Sequence, residues 1–198
     1  MPTPQATRSE RTKERLLNAT LDVLAAEGMA KATTTRICQV AGVSRGAQTH
    51  HYPTKDELVI AALEYMAERY AREGHEFVAG LDPSERTIAV VVSRLWNAVL
   101  DERFGFSALE ALVHARTDPA LQPAVAEANN AAVEAVRSFA SVITHPSATE
   151  SQLADALEST LHYFRGLALS RPLASHHNDQ HAKEWADALE RQLRNTDQ

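Results

Sequence analysis

One cysteine, Cys38, occurs in the whole chain, so no internal disulfide can form. No stretch approaches the ~18 consecutive apolar residues that a membrane-spanning helix needs. The opening residues, MPTPQATRSERTK, carry no apolar signal core. These absences lead us to expect a soluble, cytoplasmic protein without a membrane partner. Strand-like alternation never holds for more than a few residues, and there is neither an internal repeat nor a low-complexity tract. Catalytic signatures are missing too: no glycine-rich phosphate loop, no Gly-x-Ser-x-Gly elbow, no His-Glu-x-x-His. An enzyme is therefore not expected, and no cofactor is implied.

What is present is a helical rhythm and an uneven charge. The 198 residues suffice for one large or two small domains, and 44% hydrophobic content supports a true core. The net charge of −6 hides a division. Residues 1–55 hold 8 Lys/Arg against 4 Asp/Glu, net +4, whereas residues 56–198 hold 12 against 22, net −10. A basic front end can meet phosphate while an acidic remainder stays off it.

The most informative stretch is Thr33 to Leu58. Thr33 or Thr34 can cap a short helix through its hydroxyl. Ile37, Val40 and Ala41 give that helix an apolar face, and Gly42 supplies the positive φ its exit requires. Ser44 is a good N-cap for a second helix from Arg45 to His51, which Pro53 prevents from continuing. Thr54 with Glu57 forms a capping box for a third. Two helices joined by a short glycine-containing turn make a helix-turn-helix. The second helix carries Arg45, Gln48, Thr49, His50 and His51 with small Gly46 and Ala47, a composition suited to the DNA major groove.

Ala41-Gly42-Val43-Ser44, Gly46, His51, Tyr52-Pro53, Lys55 and Leu58 together resemble the signature of the tetracycline-repressor (TetR) family of transcriptional regulators. The resemblance covers roughly the first third of the chain. It implies base contacts from Thr35, Arg45, Gly46, Ala47, Thr49 and His50. Thr33 or Thr34 is then a phosphate-contacting cap, Ser44 the cap of the reading helix, and His51, Tyr52 and Lys55 backbone-contacting or structural residues. Arg45 can pair bidentately with guanine or hold a phosphate; the first specifies sequence and the second only positions. Gln48-Thr49 departs from the leucine-tyrosine pair common in the family. Cys38 stands where the family usually has alanine, as a small buried hydrophobe.

Ahead of this stretch, residues 1–7 read as a mobile arm. Helix one spans about Arg8 to Glu27, with an apolar stripe of Leu17, Leu21, Leu24 and Ala25 and a basic first half. Gly28 ends it. Helix four begins at Lys55 and runs to about Ala79, roughly 37 Å at helical rise, long enough to link a reading head to a distant body. Its N-terminus with Lys55 is a natural phosphate site. Helix five is marked by Ile88, Val91, Val92, Leu95, Trp96 and Val99. Phe104-Gly105-Phe106 reads as a break or a tight junction before helix six. Helix seven is expected from about Ala120 to Ile143, helix eight from Thr149 to Leu169, and helix nine from Asp179 to Arg194.

Leu153, Leu157, Leu161, Phe164 and Ala168 recur at three and four along helix eight, as Trp185, Leu189 and Leu193 do along helix nine. Such stripes serve an internal core or a two-fold four-helix interface equally well. The resemblance favours the interface, since these regulators typically dimerise through their last two long helices. It also implies an effector pocket in the helical body. Candidate lining residues are Met66, Trp96, Phe104, Phe106, Leu109, His114, Phe139, Tyr163 and Phe164, with Arg116 or Asn129 as polar anchors. His114 with Glu110 one turn away could also make a polar pair. His50-His51 are adjacent and diverge by about 100° on a helix, which suits no metal. His177 and His181, with His176 beside them, have ligand spacing but no cluster of further donors.

The expected architecture is all-α. A three-helix helix-turn-helix head (residues 1–54) precedes a larger helical ligand-binding and dimerisation body (residues 55–198), about nine helices in all, with helix four as connector. The expected function is ligand-responsive transcriptional repression by a homodimer on a palindromic double-stranded DNA operator, released by an unidentified small molecule. A helical small-molecule carrier without a DNA role and, more remotely, a metal-dependent enzyme are the competing readings.

Overall fold

The caps that the sequence places at helix ends set the boundaries of the fold. A computed structural model describes residues 4–101, 103–170 and 180–194, and the side chains among them except those of residues 4–7 and 104. Nine α-helices, and no strand, occur among the described residues. They are α1 (Pro4–Glu27), α2 (Thr34–Ala41), α3 (Arg45–His51), α4 (Lys55–Ala79), α5 (Ile88–Leu100), α6 (Phe104–Ala115), α7 (Gln122–Ser138), α8 (Glu150–Ser170) and α9 (Gln180–Arg194). Single 3-10 turns at Pro83–Glu85 and Phe139–Val142 complete the order. No described helix is long and apolar enough to cross a membrane.

Three expectations need correction. Helix α1 starts at Pro4, so part of the expected arm is helical; proline is compatible with a first helical turn, where its missing N–H costs nothing. Phe104, Gly105 and Phe106 do not interrupt a helix but are the first residues of α6, which begins soon after α5 ends at Leu100. Helix α7 stops at Ser138 and tightens into the 3-10 turn. There Ser138 Oγ donates to Ala135 O at 2.7 Å and Ser141 Oγ to Ser138 O at 2.8 Å. Such hydroxyl bonds draw carbonyls away from the α ladder.

By packing, the chain divides into two compact units. The first comprises residues 1–67 and 102–128, and the second residues 68–101 and 129–198. Thus α6 and the start of α7 pack with the helix-turn-helix, a grouping different from the division expected at 54/55. In the first unit α1 lies against α2, α3 and α6. Its centre is made by Leu16, Leu21, Leu24, Ile37, Leu58 and Leu121, all without solvent exposure. Burying side chains of this size stabilises by about 1.5–3 kcal/mol each. Polar clamps fix α6 on α1: Arg103 pairs with Asp22 at 2.6 Å and donates to Asn18 O at 3.3 Å. Further along α6, Glu110 Oε2 accepts from Met29 N at 3.1 Å. Glu110 is therefore engaged with the α1–α2 loop rather than with His114, which faces Asp118 at 3.6 Å.

In the second unit α5 packs against α8 and α9. Trp96 and Phe164, both buried, meet edge to face with centroids 4.9 Å apart. Trp185 Nε1 donates to the buried Thr160 hydroxyl at 2.9 Å and stacks on Tyr163 at 4.2 Å. His145 closes the turn before α8. Its Nδ1 accepts from Ser147 N at 3.2 Å and Ala148 N at 2.9 Å, which places the ring proton on Nε2, 3.2 Å from Glu190 Oε2.

Within one chain the stripe expected to pair two subunits is buried. Leu153, Leu157, Leu161, Phe164, Ala168, Leu189 and Leu193 are each at most 5% exposed within one chain. Trp185 is half-buried and occupied by Thr160 and Tyr163. The outward face of α8 carries Ser159, His162, Tyr163, Gly166 and Leu169.

Candidate nucleic-acid interface

The turn between α2 and α3 is built from three local devices. Thr33 caps α2, its Oγ1 accepting from Arg36 N at 3.1 Å. Gly42 ends α2 with φ 59 and ψ 40, the left-handed conformation that side-chain-bearing residues avoid. Ser44 caps α3, its Oγ accepting from Ala47 N at 3.2 Å. A fourth device comes from α1: Arg15 Nη2 donates to Ala41 O at 2.5 Å and to Gly42 O at 2.8 Å. A cation on the last carbonyls of α2 satisfies orphan acceptors and opposes the negative end of the helix dipole. Nothing local marks Arg15 for this task, and the sequence reading missed it.

Arg36 braces the same corner. It reaches Glu27 Oε1 at 2.7 Å and Gln39 Oε1 at 3.1 Å. The hydrogen bond between them holds the Glu27 carboxyl below its ordinary range and the Arg36 guanidinium above its own.

On α3 the side chains divide into two faces. Arg45, Gly46, Thr49 and His50 are exposed, while Ala47 and His51 are half-buried. Gln48 is buried, at 1% exposure. The reading helix is therefore not polar all round: Gln48 holds a core position. Its Nε2 donates to Tyr52 O, and its Oε1 has no hydrogen-bond partner. Thr49 Oγ1 donates to Arg45 O at 3.0 Å, which leaves its lone pairs outward. A Cβ placed on Gly46 would meet nothing within 4 Å, so the chain itself does not require glycine there.

His51 lies toward α1. Burial lowers its pKa, with His50 and Lys13 adding repulsion to a proton. Tyr52 is half-buried beside it, and burial raises its phenol. Lys55 is half-buried with Nζ 3.4 Å from Met29 O, so its charge is partly spent on the α1–α2 loop. Thr54 Oγ1 caps α4, accepting from Glu57 N at 3.1 Å. Asp56 and Glu57 in that first turn counter the positive helix end expected to hold phosphate. Thr33 and Thr35 are exposed and Thr34 is half-buried. Cys38 is buried, and burial raises its thiol pKa.

The residues expected around an effector are shared between the two units. Met66, Phe106, Leu109, His114 and Arg116 belong to the first, and Trp96, Asn129, Phe139, Tyr163 and Phe164 to the second. Arg116 is exposed and Tyr163 is 37% exposed, whereas Met66, Trp96, Leu109 and Phe164 are buried. Phe139 fills the space over Gly74, where a Cβ would collide with its ring. The side chain of Phe104, like His176 and His177, lies outside the described residues. Asn129 Oδ1 accepts from Arg165 Nη1 at 2.8 Å, a partner absent from the sequence reading.

This chain is similar in sequence and in structure to known proteins. A family model described as bacterial regulatory proteins, tetR family, matches residues 16–62. The HTH-type transcriptional regulator CymR of Pseudomonas putida is 33% identical over 168 residues, which span 83% of this chain and 81% of that protein. A transcriptional regulator from Rhodococcus is similar in structure, with TM-score 0.68 and 25% identity over 91% of this chain and 95% of that one. The multidrug binding protein EbrR, solved with ethidium, matches with TM-score 0.62 and 24% identity over 90% of this chain and 97% of that one. The match across α1 to the start of α4, with a regulator related along four-fifths of its length, establishes that this chain belongs to the TetR family of bacterial regulatory proteins.

Proposed function

We propose that the protein is a cytoplasmic, ligand-responsive repressor. As a homodimer it would place α3 of each subunit in successive major grooves of a palindromic operator. The observation that carries this reading is the division of α3: Gln48 inward, and Arg45, Gly46, Thr49 and His50 outward on a corner braced by Arg15 and Arg36. Arg45 and His50 supply long donors, and Gly46 and Ala47 let the backbone approach the bases. Thr33, Thr34, Thr35 and Ser44 lie at helix starts, where free N–H groups and hydroxyls suit phosphate. His51 and Tyr52 hold α3 against α1. Lys55 joins the α1–α2 loop to the start of α4.

Release would follow from an effector that binds better to a conformation in which the two heads no longer fit the grooves. EbrR, a structural neighbour, binds ethidium, and that supports a small-molecule site in the present helical body. Helix α4 contributes residues to both packing units and is the natural connector. For dimerisation, the outward face of α8 replaces the leucine stripe as the proposed surface.

The deciding measurement is a gel shift with DNA from upstream of the protein's own gene. Specific binding should weaken steeply with salt, the slope reporting the number of phosphates neutralised. Arg45→Ala should relax sequence preference if Arg45 reads a base, and lower affinity evenly if it holds phosphate. Absence of specific binding would favour the rival, a helical small-molecule carrier.

A further inference from the structure

Helix α1 carries a row of arginines that no role above uses in full. Arg8, Arg11 and Arg15 follow at spacings of three and four, so they share one face of the helix, and all three are exposed. Arg15 fixes where the row stands. Its Nη2 is held by Ala41 O and Gly42 O, just before Ser44 caps α3 and Arg45 opens it. Farther round α1, the charges of Lys13 and Glu10 are felt at His51 and Tyr52, where α3 ends. Residues 10–15 of α1 therefore run alongside the reading helix. Arg11 and Arg8 continue the row one and two turns beyond the clamp.

The row is open. Among residues 1–55, Lys13 and Arg36 hold carboxylates, and Arg15 and Lys55 are spent on backbone carbonyls. Arg8 and Arg11 make neither an ion pair nor a side-chain hydrogen bond among the described residues. Their neighbour Glu10 is 3.1 Å from Lys13, and Glu14 forms no ion pair with Arg11. Exposed arginines without bonds occur elsewhere, but singly and beside acid. Arg72 stands one turn from both Glu68 and Glu76, and Arg191 one turn from Asp187. On α1 two stand together, at the basic end of a chain whose remainder is acidic.

A reading helix fills a major groove about 12 Å wide, so the groove walls stand about 6 Å to either side of its axis. Packed helices lie about 8–10 Å apart, which puts α1 over one wall while α3 is inside. Arg8 and Arg11 are about 4.5 Å apart along α1, against an axial step of ~3.4 Å between phosphates of one strand. With its side chains a helix is about 10–12 Å across and cannot enter a minor groove about 6 Å wide. Because α1 is helical from Pro4, its arginines meet the outside of the duplex as charges and not as base readers.

We propose that Arg8 and Arg11 form a second DNA contact, a sequence-independent phosphate clamp at the rim of the groove that α3 reads. Arg15 sets the angle of the row and takes no direct part. The clamp rests on the DNA-binding reading above and adds a surface to it.

The test titrates full-length protein by fluorescence anisotropy against two labelled duplexes of equal length, the upstream DNA retained in the gel shift and a scrambled sequence. Sodium chloride is varied between about 50 and 200 mM. Arg8→Gln with Arg11→Gln should lower affinity about tenfold or more, by the same factor on both duplexes, and lessen the salt slope by about 2 per subunit. Tm should stay unchanged, since both side chains are exposed and unbonded. Arg8→Lys with Arg11→Lys should keep the parent slope, because a phosphate clamp needs charge and not a planar fork. Arg72→Gln with Arg191→Gln removes the same charge from the second packing unit and should bind like the parent. The clamp is overturned if the α1 glutamine variant binds like the parent, if the control pair loses as much, or if the α1 variant loses the upstream duplex selectively. Equal binding of both duplexes by the parent, weakened on both in the α1 variant, sinks the sequence-specific regulator reading and leaves the clamp standing. A parent preference for upstream DNA, kept at full strength by the variant, sinks the clamp alone. Binding to neither duplex overturns both.

Discussion

Arg15 and Gly42 occupy each other's space. The guanidinium Nη2 sits 2.8 Å from Gly42 O, and a Cβ at Gly42 would stand 2.7 Å from that same nitrogen. Glycine at this turn is therefore required twice, once by its φ of 59 and once by the clamp. Gly42→Ala should cost about 1–2 kcal/mol from the left-handed backbone alone, before the arginine is displaced. Arg15→Ala should cost about 1–2 kcal/mol through lost bonds to two terminal carbonyls. Both changes loosen the angle at which α3 leaves α2. Denaturant melts should record the stability losses, and operator affinity should fall in both variants although neither residue lies on the outer face of α3.

Gln48 makes a prediction of opposite sign. Its Oε1 is buried without a partner, a condition that costs about 1–3 kcal/mol. Leucine fills similar volume and has no polar atom to strand. Gln48→Leu should therefore stabilise the protein by about 1 kcal/mol, with the loss of the bond to Tyr52 O offsetting part of the gain. For a chain of this size that is a rise in Tm of about 2–4 °C. Because the side chain is buried, operator affinity should stay nearly unchanged. An unchanged or lowered Tm would mean that Oε1 is satisfied in solution, for instance by a bound water.

Gly46 separates stability from recognition. It is a helical, exposed residue, and a Cβ there touches nothing in this chain. Gly46→Ala should raise stability by up to about 1 kcal/mol through helix propensity and a less flexible unfolded state. If the backbone of α3 must approach DNA closely, the same methyl group should weaken operator binding. A variant that is more stable and binds DNA equally well would place α3 further from the bases than proposed.

His51 gives the fold a pH dependence. Burial, His50 and Lys13 set its folded pKa below the ordinary 6.5. The unfolded chain consequently takes up the proton first as the solution is acidified. The stability that His51 contributes is complete above 6.5, declines as pH falls through that value, and is exhausted once pH passes the lower folded pKa. His51→Gln should flatten this segment of a Tm-against-pH curve between about pH 5 and 7 relative to the parent. Identical slopes in the two proteins would assign the acid sensitivity to other groups.

The parts of the fold that were legible are those whose signal is local. Thr33, Gly42, Ser44 and Thr54 announce helix ends by residue type alone, and the helices begin and end at or beside them. The parts that were not legible depend on partners distant in sequence or on periodicity over too short a span. Arg15 works on carbonyls 26 and 27 residues away. Helix α3 has seven residues, barely two turns, so spacing could not reveal that Gln48 points inward. The leucine stripe of α8 has the same period whether it faces α5 of its own chain or a second subunit.

That ambiguity of α8 supplies the last prediction. Leu157 is fully buried within one chain, while Leu169 on the opposite side is 52% exposed. Gly166 lies between Tyr163 and Leu169 on the outward face, and a Cβ there meets nothing within 4 Å. A glycine flanked by exposed Tyr163 and Leu169 allows a second helix to approach closely, and a two-fold axis would bring the same face against itself. If this face joins two subunits, Leu169→Glu sets two like charges in the contact. Sedimentation should then show monomers at concentrations where the parent is dimeric, with Tm falling toward that of the isolated subunit. Leu157→Ala should instead cost about 2–5 kcal/mol of subunit stability by opening a cavity, with no selective loss of the dimer. The reverse pattern, dissociation by Leu157→Ala and indifference to Leu169→Glu, would restore the leucine stripe as the interface and require α8 to turn its present core side outward.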